Sequence, residues 1–146
     1  MDSQVIKVIV VDDMPEVRFI LKNQLKSTGF EVLFGAINGR DMSLKLEAAH
    51  ELPQICIMDI DMPEINGYES AKILRKKWPQ VKILAHSGNE NNDALVKMLQ
   101  CGADGYLVKG SKPEELRYAL LCLTTLGYYF NDWTCRQLMN YVRKTG

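Results

Sequence analysis

The stretch ICIMDIDMPEING, residues 55–67, places an apolar run directly before two aspartates, a proline and a glycine. A strand over residues 54–58 would be apolar from Ile55 onward, and such strands are typical of the buried centre of a parallel sheet. Asp59 and Asp61 close the run, and either carboxylate can bind a metal, attack a phosphorus or cap a turn. The stretch therefore predicts a central strand but leaves open which aspartate carries chemistry.

Short apolar runs alternate with helical patterns along the rest of the chain. Strands are predicted over residues 5–11, 30–36, 54–58, 81–86 and 105–109. Helices are predicted to begin at Pro15, Gly39, Gly67, Asn91 and after a cap at Ser111. Five strand–helix units in series imply an α/β fold, a doubly wound parallel sheet with helices on both faces. Residues 127–130 break the pattern, and residues 131–144 predict one extra C-terminal helix.

The helical patterns also predict which side chains face the sheet. Apolar residues repeat at intervals of three or four, the period that places side chains on one face of a helix. The residues expected to pack inward are Val17, Ile20, Leu21 and Leu25 in the first helix, Leu44 and Ala48 in the second, Ala94, Leu95, Met98 and Leu99 in the fourth, and Leu116, Ala119, Leu120 and Leu123 in the fifth. His86 should point away from Ser87, because neighbouring strand residues alternate, and we assign it a structural role.

The overall composition excludes several classes of protein. The chain has 146 residues, enough for one domain, and its 18 basic and 18 acidic residues give no strongly basic surface for nucleic acid. The N-terminus is too charged for a signal peptide, and the longest uncharged stretch, residues 118–131, is too short for a membrane helix. The four cysteines form no CxxC pair, and we expect three of them to be buried, reduced thiols. We therefore expect a cytoplasmic protein with no membrane partner.

Five polar residues follow the predicted strands at their carboxyl ends. They are Asp12, Asp13, Asp59, Ser87 and Lys109. In an open parallel sheet these ends lie at one edge, which is where ligand sites form. Each residue alone is weak evidence, since an aspartate after a strand is often a helix cap. Five of them at one edge predict a site.

The residue types predict the chemistry of that site. Clustered carboxylates require a cation, and oxygen ligands without histidine or cysteine favour Mg²⁺. Lys109 supplies a compact positive charge for a phosphoryl oxygen, and Ser87 can donate a hydrogen bond to another. The remaining carboxylate, Asp59, can act as a nucleophile and form an acyl phosphate. The set therefore favours phosphoryl transfer.

Four motifs give the chain a specific resemblance. They are VVDDMPEVR (10–18), MDIDMPEINGYE (58–69), ILAHSG (83–88) and GADGYLVKG (102–110). Over about residues 4–125 the chain resembles the receiver domain of bacterial two-component response regulators. The resemblance implies a flavodoxin-like (βα)5 sheet with strand order 2-1-3-4-5. The segment KGSKPEEL (109–116) resembles the LuxR/NarL-like subgroup, because Gly110 stands where many receivers have a proline.

The resemblance implies roles for the acidic residues. Asp59 resembles the phosphorylated aspartate, and Asp12 and Asp13 resemble the acidic pair that binds Mg²⁺. Asp59 and the backbone carbonyl of Asp61 resemble the remaining protein ligands of the metal. The side chain of Asp61 occupies a position that tunes dephosphorylation in the family, as does Asn89.

The resemblance also implies roles outside the metal site. Ser87 and Lys109 resemble the hydroxyl and the ammonium that bind the phosphoryl group. Tyr106 resembles the aromatic switch that turns inward when the hydroxyl residue moves toward the phosphate. A half-buried strand tyrosine with no switching role remains an equal alternative for Tyr106.

The implied organisation is a receiver domain over residues 1–126 and a linker or extra helix over residues 127–146. The expected partners are a sensor histidine kinase or a phosphotransfer protein. A homodimer would form through the fourth helix, fifth strand and fifth helix, or through the C-terminal helix. DNA would be contacted only through an output domain outside this chain.

Two other functions remain open on the residues alone. The DID motif at residues 59–61 resembles the Asp-x-Asp of haloacid-dehalogenase phosphatases, in which the second aspartate acts as acid and base. The second function is that of a receiver-like module that signals by protein contacts without phosphorylation. The receiver interpretation makes the chain a switch and not an enzyme, apart from its own phosphorylation and dephosphorylation.

Overall fold

The computed structural model describes residues 5–62, 66–88 and 90–145, and its centre is a parallel sheet of five strands. The strands are β1 (Lys7–Val11), β2 (Glu31–Ala36), β3 (Ile55–Asp59), β4 (Lys82–Ser87) and β5 (Gly105–Val108). They lie in the order β2-β1-β3-β4-β5, and every neighbouring pair is parallel. The doubly wound fold, its strand order and the central position of the third strand are confirmed.

Six helices accompany the sheet. They are α1 (Pro15–Ser27), α2 (Gly39–Ala48), α3 (Gly67–Lys77), α4 (Asn92–Gln100), α5 (Pro113–Thr125) and α6 (Asp132–Thr145). Asparagine side chains cap four of them, each accepting a bond from a backbone N–H in the first turn: Asn38, Asn66, Asn91 and Asn131. The predicted cap at Ser111 is wrong. Its hydroxyl donates to the carbonyl of Val108 instead, and α5 begins at Pro113 after Lys112, without a side-chain cap.

The sheet separates two apolar cores because side chains alternate along each strand. Leu21 and Leu25 of α1 pack with the inner face of α5 on one side. Helices α2, α3 and α4 pack on the other side. The inward residues predicted for α5 are all buried, namely Leu116, Ala119, Leu120 and Leu123. Both faces of the sheet are therefore covered by helices.

The structure corrects two predicted helix faces. In α2 the buried residues are Met42 and Leu46, whereas Leu44 is 60% exposed and Ala48 is also exposed. Both pairs have a spacing of four, so periodicity alone selected the wrong pair. In α1, Leu21 and Leu25 are buried as predicted, but Ile20 is 53% exposed.

The C-terminal segment packs on the α4–β5 side of the domain. The backbone N–H of Tyr129 donates to the carbonyl of Asp104 at 3.0 Å, and Tyr129 forms a parallel bridge with Gly105 of β5. Trp133 and Leu138 of α6 are partly buried against the core formed with α2, α3 and α4. Helix α6 therefore lies on part of the surface through which a homodimer was expected.

Two expectations from composition can be compared with the described residues. All four cysteines are free thiols, and Cys56, Cys101 and Cys122 are buried while Cys135 is exposed. No helix in the described part of the chain has the length and apolar character needed to cross a membrane.

Candidate functional site

The predicted cluster forms at the carboxyl edge of the sheet. Asp12 follows β1, Asp59 ends β3 and Lys109 follows β5. Both carboxylates are buried, with exposed fractions of 1% for Asp12 and 2% for Asp59. The Lys109 Nζ atom lies 3.0 Å from Asp12 Oδ2 and 3.0 Å from Asp59 Oδ1. One ammonium therefore partly neutralises two buried carboxylates.

The start of α1 fixes the position of Asp12. The backbone N–H of Met14 donates to Asp12 Oδ1 at 2.9 Å, and the Arg18 guanidinium donates to the Asp12 carbonyl at 2.7 Å. Arg18 was not among the predicted site residues. Its position in the sequence could have indicated this contact. Arg18 lies six residues after Asp12, in the first turns of the helix that follows the acidic pair, and can reach back to it.

The structure separates the two aspartates of the opening motif. Asp61 is exposed, and its backbone N–H donates to Asp59 Oδ1 at 3.3 Å. Asp59 Oδ2 is buried and has no hydrogen-bond partner among the described residues. Asp59 therefore combines burial, an ion pair and one uncommitted oxygen, whereas the Asp61 side chain faces solvent. Pro63, toward which the motif turns, lies outside the described residues.

A close approach of backbone supports the end of β3. Gly67 opens α3, and a Cβ atom on it would lie 2.3 Å from the Asp59 carbonyl oxygen and 2.6 Å from Ile60 Cα. Its N–H donates to the carbonyl of Ile60 at 3.0 Å. Only glycine fits this contact, so the glycine of the quoted stretch is needed to bring α3 against the strand that carries Asp59.

The charged groups of the site shift one another's pKa values. Burial raises the pKa of Asp59 to about 6, opposed by the hydrogen bond from Lys109 and reinforced by the Asp12 carboxylate. Burial alone would lower the pKa of Lys109, but its bonds to Asp12 and Asp59 outweigh that effect and raise it. Lys109 is therefore charged at neutral pH, and the buried carboxylates gain from any further cation.

The acidic residues fit a divalent metal. Oxygens of Asp12, Asp13 and Asp59 lie within 4.8 Å of one another. All three donors are carboxylates, and no histidine or cysteine joins them among the described residues, which matches the preference of Mg²⁺. The uncommitted Oδ2 of Asp59 is a further atom that a cation would satisfy.

Ser87 and Tyr106 lie on the same face of the sheet. Tyr106 is opposite Ala85, and Ser87, two residues further along β4, is opposite Val108. Both side chains are buried. Ser87 therefore lies at the carboxyl edge of the sheet, at the end of β4. Tyr106 lies on the same face, which α4 covers. Asn89, the other predicted modulator, lies outside the described residues.

The loop after Lys109 has a backbone conformation that favours glycine. Gly110 has a φ of +81°, in the left-handed region that favours residues without a Cβ atom. The N–H of Lys109 donates to the carbonyl of Ser87 at 2.6 Å, which ties the loop to the end of β4. Gly110 stands where many receivers have a proline, and the loop has a conformation that glycine adopts readily.

His86 occupies the opposite face from Ser87, as predicted. It is 4% exposed and lies on the side of α1 and α5. Burial, together with the charge of Lys109, lowers the pKa of His86 to about 4, so the ring is neutral at pH 7. It is not part of the carboxylate cluster.

Comparisons with known proteins agree with this geometry. The family model of the response regulator receiver domain matches residues 8–121. The chemotaxis protein CheY of Thermotoga maritima is 35% identical over 115 residues, which cover 78% of this chain and 93% of CheY. The interpretation of the DID motif as a haloacid-dehalogenase-like phosphatase is not favoured by these matches, and neither is a module that works without phosphorylation.

A longer relative and a solved structure extend the match toward the C-terminus. The response regulator GacA of Pseudomonas protegens is 33% identical over 136 residues, which cover 92% of this chain but only 62% of GacA. The crystal structure of a LuxR-family response regulator from Aurantimonas sp. SI85-9A1 has the same fold, with a TM-score of 0.83, 22% identity and coverage of 94% of this chain and 98% of that one. The chain therefore belongs to the family of response regulator receiver domains, the phosphorylation-dependent signalling switches of two-component systems.

Proposed function

We propose that Asp59 accepts the phosphoryl group that operates this switch. The proposal rests on the environment of the Asp59 carboxylate. It is buried, its Oδ1 is held by Lys109 at 3.0 Å, and its Oδ2 has no partner among the described residues. One oxygen of such a carboxylate can attack a phosphorus while the other holds a cation, and the ammonium beside it stabilises negative charge on the transferred group.

Mg²⁺ would be held by Asp12, Asp13 and Asp59, with the backbone carbonyl of Asp61 as a further ligand. Their oxygens are the hard donors that this ion prefers. When bound, the ion neutralises the carboxylates and the phosphoryl oxygens, so that nucleophile and donor can approach. The Arg18 bond to the Asp12 carbonyl positions the acidic pair for this role.

The transfer itself needs few groups. An oxygen of Asp59 forms a bond to phosphorus as the bond from phosphorus to the donor breaks, and the donor retains the bonding electrons. Lys109 stays protonated and binds a phosphoryl oxygen, and the Ser87 hydroxyl donates to another. The product is an acyl phosphate, which water hydrolyses when the signal ends. The chain thus promotes only its own phosphorylation and dephosphorylation.

The phosphoryl group would act on the surface through Ser87 and Tyr106. These residues share the α4 face of the sheet, and Tyr106 is already buried, so movement of Ser87 toward the phosphate would change the packing around the Tyr106 ring. A change there alters the surface of α4, β5 and α5 and the contact with α6. That surface, or α6 itself, would form the homodimer that we infer for the active state.

The donor and the output are inferred from the relatives. The phosphoryl donor would be a sensor histidine kinase, a phosphotransfer protein or a small phosphodonor. We propose a receiver over residues 1–126, followed by a linker or extra helix over residues 127–146. This chain covers 62% of the length of GacA, and the proposed output domain would lie outside it. The resemblance to LuxR/NarL-like regulators makes transcription the inferred output, with DNA contacted outside this chain.

The phosphorylation of Asp59 can be tested with a small phosphodonor. The chain is incubated with acetyl phosphate and Mg²⁺, and the acid-labile phosphate is measured by intact mass. We expect one phosphoryl group on the wild type and none on Asp59→Asn. Asp61→Asn is the matched control, because it makes the same chemical change two residues away on an exposed side chain.

The outcomes separate the alternatives. Labelling of Asp59→Asn at the wild-type level would contradict the proposed acceptor. Steady phosphatase turnover that Asp61→Asn abolishes would contradict the switch and favour a phosphatase. Failure of the wild type to accept phosphate or to bind beryllofluoride with Mg²⁺ would favour signalling without phosphorylation.

A further inference from the structure

A cavity lies on the side of the sheet opposite Ser87 and Tyr106. It has a volume of about 140 Å³ and sits between α1, the end of β5 and the start of α5. Its apolar walls include Val17, Leu21, Leu107 and Leu116, and the polar side chains of Gln24 and Ser111 line its rim. Apart from Lys109, the residues that line the cavity take no part in the proposed steps at Asp59.

One polar ring stands among these apolar walls. His86 lines the cavity and is 4% exposed, and its Nδ1 atom is buried without a hydrogen-bond partner among the described residues. Buried polar atoms in native proteins almost always have a partner, in the protein or in a bound molecule. A neutral imidazole offers one donor and one acceptor, so a hydroxyl can satisfy it in either role and a ring N–H can satisfy it as a donor.

We propose that this cavity binds a small neutral ring compound carrying one hydroxyl or N–H group, with His86 as its hydrogen-bond partner. The volume supports this size, because an engineered apolar cavity of about 150 Å³ is known to take up benzene. Because Nδ1 is buried, the proposal includes a rotation of the imidazole by 180° about its Cβ–Cγ bond, which exchanges the positions of Nδ1 and Cδ2.

The charges around the cavity favour a neutral ligand. Lys109 also lines it, and its ammonium is already paired with Asp12 and Asp59. A cation would be repelled by Lys109, and an anion would have to compete with two buried carboxylates for it. A neutral ring avoids both penalties and buries its carbon atoms against leucine and valine.

The test uses phenol as the probe and toluene as the matched compound without a polar hydrogen. Both are titrated into the full, unphosphorylated chain without Mg²⁺, and NMR follows the His86 ring and the methyl groups of Val17, Leu21, Leu107 and Leu116. We expect both compounds to shift the methyl signals and phenol alone to shift the ring nitrogens. In His86→Leu the ratio of the phenol Kd to the toluene Kd should rise about fivefold, the contribution of one hydrogen bond.

A second variant keeps the test independent of the folding of His86→Leu. Val17→Phe adds bulk at a partly exposed wall of the cavity and should abolish the binding of both compounds. Val142→Phe adds the same bulk to an exposed position of α6 and should bind like the wild type. Wild-type affinity in Val17→Phe would overturn the cavity as the site.

Other results would also overturn the proposal. Phenol binding that leaves the His86 ring signals unchanged would remove its polar anchor. Shifts confined to the exposed Ile20 side of α1 would place the binding of both compounds outside the cavity. Because Mg²⁺ and phosphodonor are absent, failure of this proposal is distinguishable from failure of phosphorylation at Asp59.

Discussion

The ring of Tyr106 lies against the ring of Trp133, with centroids 5.8 Å apart and planes inclined by 38°. Tyr106 belongs to β5 and is 1% exposed, whereas Trp133 belongs to α6. The contact joins the residue that resembles the family's aromatic switch to the C-terminal helix α6. A rearrangement of Tyr106 must therefore change the surroundings of Trp133.

The first prediction uses Trp133 as a reporter of phosphorylation. In a Trp78→Phe background Trp133 is the single tryptophan of the chain. Beryllofluoride with Mg²⁺ should change the intensity and wavelength of its emission, because the Tyr106 ring moves relative to the indole. Fluorescence titration measures the change.

Asp59→Asn in the same background is the control for that measurement. It should give no change in emission, since the variant lacks the oxygen that coordinates beryllofluoride. An emission change of equal size in both proteins would show that Trp133 senses something other than the acyl phosphate site.

The second prediction concerns residues 127–146. Tyr129 and Thr134 are buried and Trp133 is partly buried, so removal of the segment exposes apolar surface on β5 and α4. We expect residues 1–126 to fold, with the free energy of unfolding lowered by about 2–4 kcal/mol. Urea denaturation followed by circular dichroism measures it.

A shorter deletion separates this packing effect from simple shortening. Residues 141–145 are exposed, although the Tyr141 hydroxyl accepts a bond from Gln100 at 3.3 Å. Truncation after Asn140 should therefore lower the free energy of unfolding by less than about 1 kcal/mol. Equal losses for the two truncations would contradict the packing of α6 described above.

The third prediction concerns Gly67. In Gly67→Ala the new methyl group would meet the Asp59 carbonyl at 2.3 Å, and backbone cannot yield as a flexible side chain can. The start of α3 must move, so the free energy of unfolding should fall by about 2 kcal/mol or more, and acetyl phosphate should label the variant more slowly. Gly88→Ala is the control for stability, because a Cβ atom there meets nothing within 4 Å. Equal stability of the two variants would contradict the close approach.

The fourth prediction is a pair of opposed pH dependences, measured with EDTA present. Asp59 has a pKa of about 6 in the folded chain against an ordinary value of 3.8. The folded state binds more protons between these values, so the contribution of Asp59 to stability falls as pH rises through them. The free energy of unfolding of Asp59→Asn, minus that of the wild type, should therefore increase by about 2–3 kcal/mol from pH 4 to pH 7.

His86 should act in the opposite direction. Its pKa is about 4 in the folded chain against an ordinary 6.5, so the unfolded state binds more protons between these values. Its contribution to stability rises with pH through that window and is complete above pH 6.5. The free energy of unfolding of His86→Leu, minus that of the wild type, should decrease by about 2–3 kcal/mol from pH 4 to pH 7. Slopes of the same sign in the two variants would contradict these assignments.

The order of elements and the edge that carries the site could be predicted because both depend on local patterns. An apolar run such as residues 54–58 identifies a central strand without knowledge of its neighbours. The meeting of Asp12, Asp59 and Lys109 then follows from parallel strands ending at one edge. No long-range contact had to be known in advance.

Contacts between distant elements could not be predicted in this way. Leu44 and Ala48 have the same spacing as Met42 and Leu46, and only the packing of α2 on the sheet selects the second pair. Nothing in the local sequence around Trp133 indicates that it meets Tyr106. The His86 cavity likewise depends on how α1 and α5 are set apart.

The most direct test of Asp59 as the phosphoacceptor is to locate the phosphoryl group in the chain. After reaction with acetyl phosphate and Mg²⁺, borohydride reduces an aspartyl phosphate to homoserine, and tandem mass spectrometry locates that residue. We predict homoserine at position 59, with Asp12, Asp13 and Asp61 unchanged. Homoserine at any of those three positions instead, or at none with Asp59 intact, would contradict the assignment of Asp59 as the phosphoacceptor.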